Sequence, residues 1–484
     1  MSRRLGDFVA AAELPAGWAE MQISALCQDS RKVVPGAAFV ALPGSHGHGL
    51  DHVQDACRRG ASLLIIDASV SVDVDLPQLR LAGLPSRLSA LAAAYYGHPG
   101  QALATTAVTG TNGKTSCAHL LAQAWHVLGR TAGVLGTLGN GVWGGLQPGT
   151  HTTADAISLQ EHLLQLRQAG VSHLAMEASS HGLHQHRMDA VPLQCAVFTN
   201  LTRDHLDYHP DMQHYADAKA RLFGWPHLQR AVINIDDPWA EVMLKALAPS
   251  VSCLRYGQGE RADIRLLQAQ TTLAGVSGEL ATPWGPATLR SSLLGAFNLH
   301  NLLAVLACLL GEGIDLARAL ALIARLQPVA GRMQTLQLAG KPLVVVDYAH
   351  TPDALLQVLK SLQAHQQSRL ICVFGCGGER DRGKRPLMTA IACQHADQVW
   401  LTSDNPRHED PAQIVMEMQA GATQAVQIEL DRATAIAQAI AQAGPEDIVL
   451  IAGKGHETYQ DVVGVRHAFD DREHARAALE TWTV

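Results

Sequence analysis

No apolar run in the 484-residue chain reaches the roughly 18 residues needed to cross a membrane. The longest candidate, around 302–310, reads as a buried helix. Arg3 and Arg4 have the charge of a secretory leader's first residues, but Asp7 and Glu13 interrupt the apolar stretch that should follow, so a cytoplasmic location is expected. Basic residues are not in excess either: Lys and Arg total 37 against 44 Asp and Glu, for a formal charge of −7. No polybasic surface is expected, hence no nucleic-acid or membrane partner, and an anionic substrate would need local cations. The nine cysteines are odd in number and scattered. Cys372 and Cys376 miss the CxxC spacing, and no Cys/His cluster has zinc-finger spacing, so reduced core thiols are expected. Heptads, low complexity and short-period repeats are also missing.

What the chain does have is apolar mass, 47% hydrophobic against 17% charged residues, enough for several packed cores. At roughly 100–200 residues per domain, the length implies about three. Modest strands at 37–42 and 62–66 flank a Gly-His loop near the N-terminus, and His98, Pro99 and Gly100 form a turn-rich break that reads as a linker. Thereafter short apolar strands alternate with helical patterns. Strands at 103–108, 174–176, 196–198 and 231–233 each run into a polar loop, and helical runs at 302–310 and 316–326 close this part. Pro328 and Gly331 supply a second break, and strands at 343–346, 370–374, 398–401 and 448–451 repeat the rhythm. The expected fold class is α/β with three domains: a small α/β N-terminal domain (1–98), a central P-loop parallel-sheet ATPase domain (99–329) and a C-terminal Rossmann-like α/β domain (330–484). In open α/β sheets ligands bind outside the carboxyl ends of strands, which makes the loops there the expected site.

The first of those loops carries Gly110, Thr111, Asn112, Gly113, Lys114, Thr115 and Ser116, followed by an apolar helix expected over 119–128. Strand, glycine turn and helix is the layout of a phosphate loop: backbone N–H groups and the helix N-terminus face the phosphates, Lys114 reaches the β/γ-phosphates, and the Thr115 hydroxyl is placed for Mg²⁺. Val108 stands where the general motif has its first glycine. The plain alternative is a glycine turn beside a solvated lysine. Glu177 ends a buried strand and is a candidate second metal ligand; a helix cap or a structural ion pair is the alternative. The polar run 199–209 follows another strand; within it His205 is a candidate ligand that Asp204 or Asp207 would orient. Lys219 sits on a helical pattern, where an exposed helix lysine is the ordinary reading.

These pieces, in this order, resemble the Mur ligase superfamily over nearly the whole chain. The phosphate loop, Glu177 with Ser179, Ser180 and His181, the run 199–209, Lys219 and the segment 347–353 carry the resemblance. Asp29-Ser30-Arg31, His151-Thr152-Thr153, Gln185-His186-Arg187 and the segment 375–386 are similar to its tripeptide-forming branch, and Asp404-Asn405-Pro406-Arg407 looks like the motif of the diaminopimelate-adding members. The resemblance implies an ATP-dependent ligase. The D-Glu carboxylate of UDP-MurNAc-L-Ala-D-Glu takes the γ-phosphoryl group of ATP, and the amine of meso-diaminopimelate attacks the acyl phosphate, a reaction of cytoplasmic peptidoglycan synthesis that runs on positioning and charge neutralisation.

It also implies roles. Lys114, Glu177, His205 and Lys219 are the catalytic set; Thr115 and Glu177 hold one Mg²⁺, while His205 and Lys219, the latter as a carbamate (N6-carboxylysine), serve a second. A carbamate requires a partly neutral amine and so a depressed pKa. His300, Asn301, Arg332, Asp347 and His350 join residues 110–116 around ATP. Gln28, Ser30, Ser45, His46, Gly47, His151, Thr152, Thr153, Ser179, Gln185 and Arg187 match the UDP-sugar-peptide positions. Arg380, Asp404, Asn405, Pro406, Arg407, Gly453 and Glu457 match those for meso-diaminopimelate. Arg407 suits a bidentate grip on the carboxylate that lysine lacks, and Glu457 suits the distal ammonium. Gln28, His151 and Ser116 depart from the residues usual in the family. A monomer is expected. The alternatives are an L-lysine-adding member, a folylpolyglutamate synthase-like ligase, and a nucleotide-regulated binding protein without catalysis.

Overall fold

The structure, a computed structural model, describes residues 2–44, 47–149, 151–272 and 274–483. Ser45 and His46, expected at the UDP-sugar site, lie outside the described residues. The chain folds as two compact units, one of Met1–Ala107, Leu128–Ala196 and Gly224–Gln229, the other of Val108–Val127, Val197–Phe223 and Arg230–Val484.

In the first unit, strands Leu26–Cys27, Ala38–Val40, Leu63–Asp67 and Gln78–Leu81 form a four-stranded parallel sheet in that order. Side chains alternate across a strand, and the run Leu63–Asp67 uses both faces. Leu63 and Ile65 join Leu88, Tyr95 and Leu164 in one core, while Leu64 and Ile66 join Phe39, Val53 and Ala56 in another. A strand buried on both faces needs an unbroken apolar run, which is what Leu-Leu-Ile-Ile supplies. Strand His173–Glu177 pairs in parallel with Ala132–Gly136, which turns back antiparallel into Gly139–Val142. The break expected as a linker at His98–Gly100 is instead a packed turn: Pro99–Ala102 forms a 3-10 helix in which Pro99 and Gly100 are buried, and a Cβ on Gly100 would stand 2.9 Å from Pro192 Cδ. Turn-forming composition marks where the chain bends, not whether the bend is solvated.

In the second unit, helix Lys114–Val127 starts at Lys114 rather than at His119. The apolar period begins late, but Gly113 at φ +85° turns the chain directly into the first helical residue. Strand Arg230–Asn234 pairs in parallel with Ser252–Gly257. Strands Ile264–Thr272, Gly275–Ala281 and Ala287–Ser291 then form an antiparallel meander. The sequence reading missed it, because its half-exposed strands carry few consecutive apolar residues. Helix Phe297–Gly311 is buried along almost its whole length, as expected of its apolar run. The C-terminal sheet runs Gln334–Leu336, Leu343–Asp347, Ile448–Ala452, Leu370–Phe374, Gln398–Leu401, Gln427–Ile428, parallel except at its first strand. Its four central strands are those read from the sequence. All nine cysteines are free thiols, and among the described residues no helix is long and apolar enough to cross a membrane.

Candidate active site

The glycine loop of the second unit is tightly enclosed. A Cβ on Gly110 would stand 1.9 Å from Thr199 Oγ1, and one on Gly113 would stand 2.5 Å from Asn301 Oδ1, so only glycine fits at either place. Thr199 Oγ1 donates to Asn112 O at 2.6 Å, Asn200 Oδ1 accepts from Asn112 N at 2.9 Å, and Thr202 N donates to Thr111 Oγ1 at 3.0 Å. The polar run after strand Cys195–Phe198 thus braces the loop, a role for Thr199, Asn200 and Thr202 that their residue types alone did not reveal.

Two lysines converge on one loop carbonyl. Lys114 Nζ donates to Gly110 O at 2.8 Å and Thr111 O at 2.9 Å, and Lys219 Nζ donates to Gly110 O at 2.9 Å. Lys219 occupies the last turn of helix Met212–Ala220, which Asp211 caps by accepting from His214 N. It is buried at 1% exposure, which overturns the reading of an exposed helix lysine. The signal that could have found this is its neighbourhood: Tyr215, Ala216, Ala218 and Ala220 are buried on the same short helix. Its ammonium lies 4.5 Å from the Tyr215 ring centroid, and among the described residues no carboxylate pairs with it. Burial, and then the charge of Lys114, push the Lys219 amine well below its ordinary pKa.

Around Tyr215 the ring of His205 packs edge-on at 5.9 Å. His205 itself adopts φ +56°, a left-handed conformation that costs a side chain strain and recurs at functional sites. Asp204 is buried beside it, with His205 Nε2 at 3.5 Å, His350 Nε2 at 4.0 Å and Lys384 Nζ at 4.0 Å. Burial pushes the Asp204 carboxyl up, but the charges of His205, Lys384 and His350 and the His205 N–H outweigh it and hold the group well below the usual carboxylate range. Lys384 was not singled out from sequence; it is a buried residue opening helix Lys384–His395, and nothing in its local pattern separates it from a solvated lysine. His350 donates through Nδ1 to Tyr348 O at 2.9 Å.

Arg332 Nη2 donates to Thr115 Oγ1 at 3.2 Å, its guanidinium stacks 4.4 Å from the Tyr348 ring, and its Nε is buried with no hydrogen-bond partner among the described residues. Asp347 accepts from Met333 N and Ala349 N and is pushed up by burial. His300 Nδ1 stands 4.0 Å from Asp236 Oδ2, and Asn301 Nδ2 donates to Asn298 Oδ1. Asn112 Nδ2 reaches Asp353 Oδ2 at 3.2 Å, tying the glycine loop to helix Pro352–Gln363.

In the first unit Glu177 is 1% exposed at the end of its strand. Thr137 N donates to its Oε1 at 2.8 Å and Thr137 Oγ1 to its Oε2 at 3.1 Å. A Cβ on Gly136 would stand 2.3 Å from Oε1, so the glycine lets the carboxylate lie against the neighbouring strand. Thr152 Oγ1 is 3.1 Å from Thr137 Oγ1, Thr153 Oγ1 donates to Glu177 O, and Ser179 N donates to Thr153 Oγ1. Ser179 caps helix Ser180–His184. Arg187 donates to Thr153 O at 2.7 Å and twice to Gln185 Oε1. Thr152, Thr153, Ser179, Gln185 and Arg187 therefore form one network with Glu177. His151, which precedes Thr152 in the chain, is exposed. Gln28 and Ser30 lie where strand Leu26–Cys27 ends, Gln28 with Oε1 buried and unpartnered among the described residues, and Gly47 lies after strand Ala38–Val40.

At the carboxyl edge of the C-terminal sheet, Asp404 and Asn405 are buried after strand Gln398–Leu401. Arg407 adopts φ +51° and donates through Nη1 to Gly378 O. Arg380 is pushed below its ordinary value by burial and by Arg407. Gly453 at φ +113° lies where a Cβ would stand 2.7 Å from Asp404 Oδ2. Pro406 O lies against Gly378, where a Cβ would stand 2.0 Å from it. Glu457 Oε2 accepts from Asn405 Nδ2 at 2.8 Å and from Lys454 Nζ at 3.1 Å. Among the described residues no group of three or more His, Cys, Asp or Glu side chains is arranged for a metal, so an ion would draw on hydroxyl, carboxylate and imidazole donors from different loops.

A phosphate-loop strand–helix unit followed by a parallel sheet with polar strand ends defines a nucleotide-dependent α/β enzyme. Three family models match in succession: the Mur ligase family catalytic domain over residues 22–96, the Mur ligase middle domain over 108–309, and the Mur ligase glutamate ligase domain over 331–455. The chain belongs to the Mur ligase family. It is 49% identical over 475 residues to the UDP-N-acetylmuramoyl-L-alanyl-D-glutamate--2,6-diaminopimelate ligase of Ectopseudomonas mendocina, covering 97% of each chain, and 47% identical, over 97% of this chain and 98% of the relative, to the same-named protein of Pseudomonas aeruginosa. A solved structure of a ligase of that name superposes with a TM-score of 0.71 at 39% identity over 99% of both chains. The Mycobacterium tuberculosis folylpolyglutamate synthase shares the fold (TM-score 0.65) at 21% identity over 76% of this chain and 92% of its own.

Proposed function

We propose that the protein is the ATP-dependent ligase that adds meso-diaminopimelate to the D-Glu carboxylate of UDP-MurNAc-L-Ala-D-Glu, through an acyl phosphate, as a cytoplasmic monomer of three domains near 1–98, 99–329 and 330–484. The observation that carries the reaction class is the pair of lysine amines, Lys114 and Lys219, meeting at Gly110 O in a loop that only glycine can build. Phosphoryl transfer needs positioned charge rather than covalent chemistry. Lys114 swings from loop carbonyls to the β/γ-phosphates, and the loop amides face the phosphate oxygens. Arg332, stacked on Tyr348, lies beside Thr115 with an Nε free to take a further acceptor.

The donors fit Mg²⁺. The Thr115 hydroxyl, His205, oriented by Asp204, and a carboxylated Lys219 would offer donors within the second unit, and the Glu177 carboxylate would offer oxygens within the first. Bound there, Mg²⁺ would neutralise charge on the phosphates and the acceptor carboxylate. An amine cannot ligate while protonated, and the depressed pKa of Lys219 supports the carbamate reading. The neutral amine adds to CO₂, an N–C bond forms, and one proton leaves.

The network of Thr152, Thr153, Ser179, Gln185 and Arg187 would take the UDP-sugar dipeptide, joined by Gln28, Ser30, Ser45, His46, Gly47 and His151. Around Asn405, Arg407 offers a cation and Glu457 an anion. A diamino dicarboxylic acid presents the complementary pair, whereas lysine leaves Arg407 unmatched. The test is phosphate release with UDP-MurNAc-L-Ala-D-Glu, ATP and either amino acid. Turnover with meso-diaminopimelate is expected to exceed that with L-lysine by about a hundredfold or more in kcat/KM. Comparable values for the two would overturn the assignment of the amino acid, and no release with either would overturn the reaction.

A further inference from the structure

Lys454 is a fully buried lysine that neither the sequence motifs nor the roles above employ. Its Nζ donates to Asn405 Oδ1 at 2.9 Å and to Glu457 Oε2 at 3.1 Å, and it lies 5.6 Å from the Tyr459 ring centroid. Asp461 N also donates to Asn405 Oδ1, at 3.0 Å. An ammonium and a backbone N–H can only donate, so they fix which end of the Asn405 amide is oxygen. The other end, Nδ2, must then face Glu457, where it donates at 2.8 Å. Glu457 Oε2 is thereby satisfied, and Oε1 has no hydrogen bond within the described residues.

We infer that Lys454 is a positioning residue for the incoming diamino acid: it locks the orientation of Asn405 and holds Glu457 ionised with one oxygen directed to a ligand ammonium. The inference rests on the proposed reading of the amino-acid site. The groups that face Glu457 are Lys454, Asn405, Asp404, Arg432, Tyr348 and Tyr459. Arg432 is already committed to Asp471 by two hydrogen bonds, at 2.7 and 2.8 Å. Burial and the neighbouring Asp404 push the Glu457 carboxyl above its ordinary range, and the charge of Lys454 is the largest influence that opposes them, ahead of the Asn405 hydrogen bond. Without that cation Glu457 would protonate at still higher pH and lose its attraction for an ammonium.

The experiment uses the full chain with Lys454→Met, Glu457→Gln and the double variant. Lys454→Met is expected to raise KM for meso-diaminopimelate by about tenfold or more while KM for ATP moves less than about twofold. The acid limb of kcat/KM for the amino acid should move to higher pH, because that limb reports the free enzyme's essential carboxylate. Adding Lys454→Met to Glu457→Gln should change KM for the amino acid less than about twofold, since the partner it acts through is gone. An unmoved acid limb, an equal rise in KM for ATP, or full additivity in the double variant would each overturn the inference. Should Lys454→Met alone not fold, the comparison of Glu457→Gln with the double variant decides it: a further rise of about tenfold overturns it. Wild-type protein that releases no phosphate with meso-diaminopimelate would overturn the functional reading and this inference together, whereas normal wild-type turnover with an unmoved limb overturns this inference alone.

Discussion

At the scale of single residues, Lys219 is the sharpest case of a side chain whose surroundings contradict its type. A lysine 1% exposed, with a carbonyl, an aromatic face and a second lysine for company, is costly to keep charged. The ready ways out are a neutral amine or a covalent conversion to an anion. Lys219→Ala is therefore expected to lower kcat by about a thousandfold or more, and added formate or acetate should restore part of it by supplying the missing carboxylate. Turnover of the Ala variant close to wild type would rule out a carbamate at this position. The sequence disclosed that a lysine stood in helical context, with only the neighbouring Tyr215, Ala216, Ala218 and Ala220 to hint at burial, because burial is set largely by what packs over a helix. Lys384 escaped for the same reason, and Lys454 because a loop's own residues do not show what covers it. Asp404, Asn405, Arg407 and Glu457, by contrast, were legible from the motif that the resemblance supplied.

At the scale of elements, the parallel strands read from the sequence were those with a continuous apolar run, as 63–66 and Leu370–Phe374 have, whereas Ala132–Gly136, buried but interrupted by glycine, and the partly exposed Ser252–Gly257 were missed. The meander Ile264–Ser291 and the hairpin of Tyr459–Val462 with Val465–Ala468 were missed, since exposed strands carry no such run. That hairpin bears on the amino-acid loop. Arg407 N donates to Asp461 O at 3.0 Å, and Val463 N donates to Arg407 O at 2.7 Å, so the hairpin clamps the left-handed backbone of Arg407. Its own two-residue turn, Val463-Gly464, has φ +53° and +76°. This turn favours Asn-Gly, and a β-branched residue is strained there. Val463 is 67% exposed, so little burial is lost on replacing it. Val463→Asn is expected to stabilise the hairpin by about 0.5–1 kcal/mol, slowing hydrogen exchange of the Arg407 amide about two- to fivefold. Faster or unchanged exchange would show that the turn's strain is relieved elsewhere.

At the scale of the whole molecule, buried histidines govern the response to acid. His119, buried at 4% exposure, is pushed down to about 4 by burial and by the charge of Arg332. His456, partly buried, is pushed down to about 3 by burial and again by Arg332, and its Nδ1 has no hydrogen-bond partner among the described residues. Once unfolded, both return to about 6.5. Between pH 6.5 and 4 the unfolded chain therefore binds protons that the native chain refuses, and stability falls as pH falls. The slope is up to about 1.4 kcal/mol per pH unit for His119, with a smaller share from the more exposed His456. Asp204, held below the carboxylate range, acts in the same direction, but only below its unfolded value near 3.9. The raised carboxyls of Asp347 and Glu457 oppose it by taking up protons in the native state first. In the window above pH 4.5 the histidine term should dominate, because it alone spans the whole interval. The urea midpoint of the full chain is expected to fall steadily from pH 6.5 to 4.5, and His119→Gln should flatten that fall whatever it does to the midpoint at pH 7. A midpoint level across the window, or a variant whose midpoint falls as steeply as wild type, would show that the native chain accommodates the imidazolium at His119.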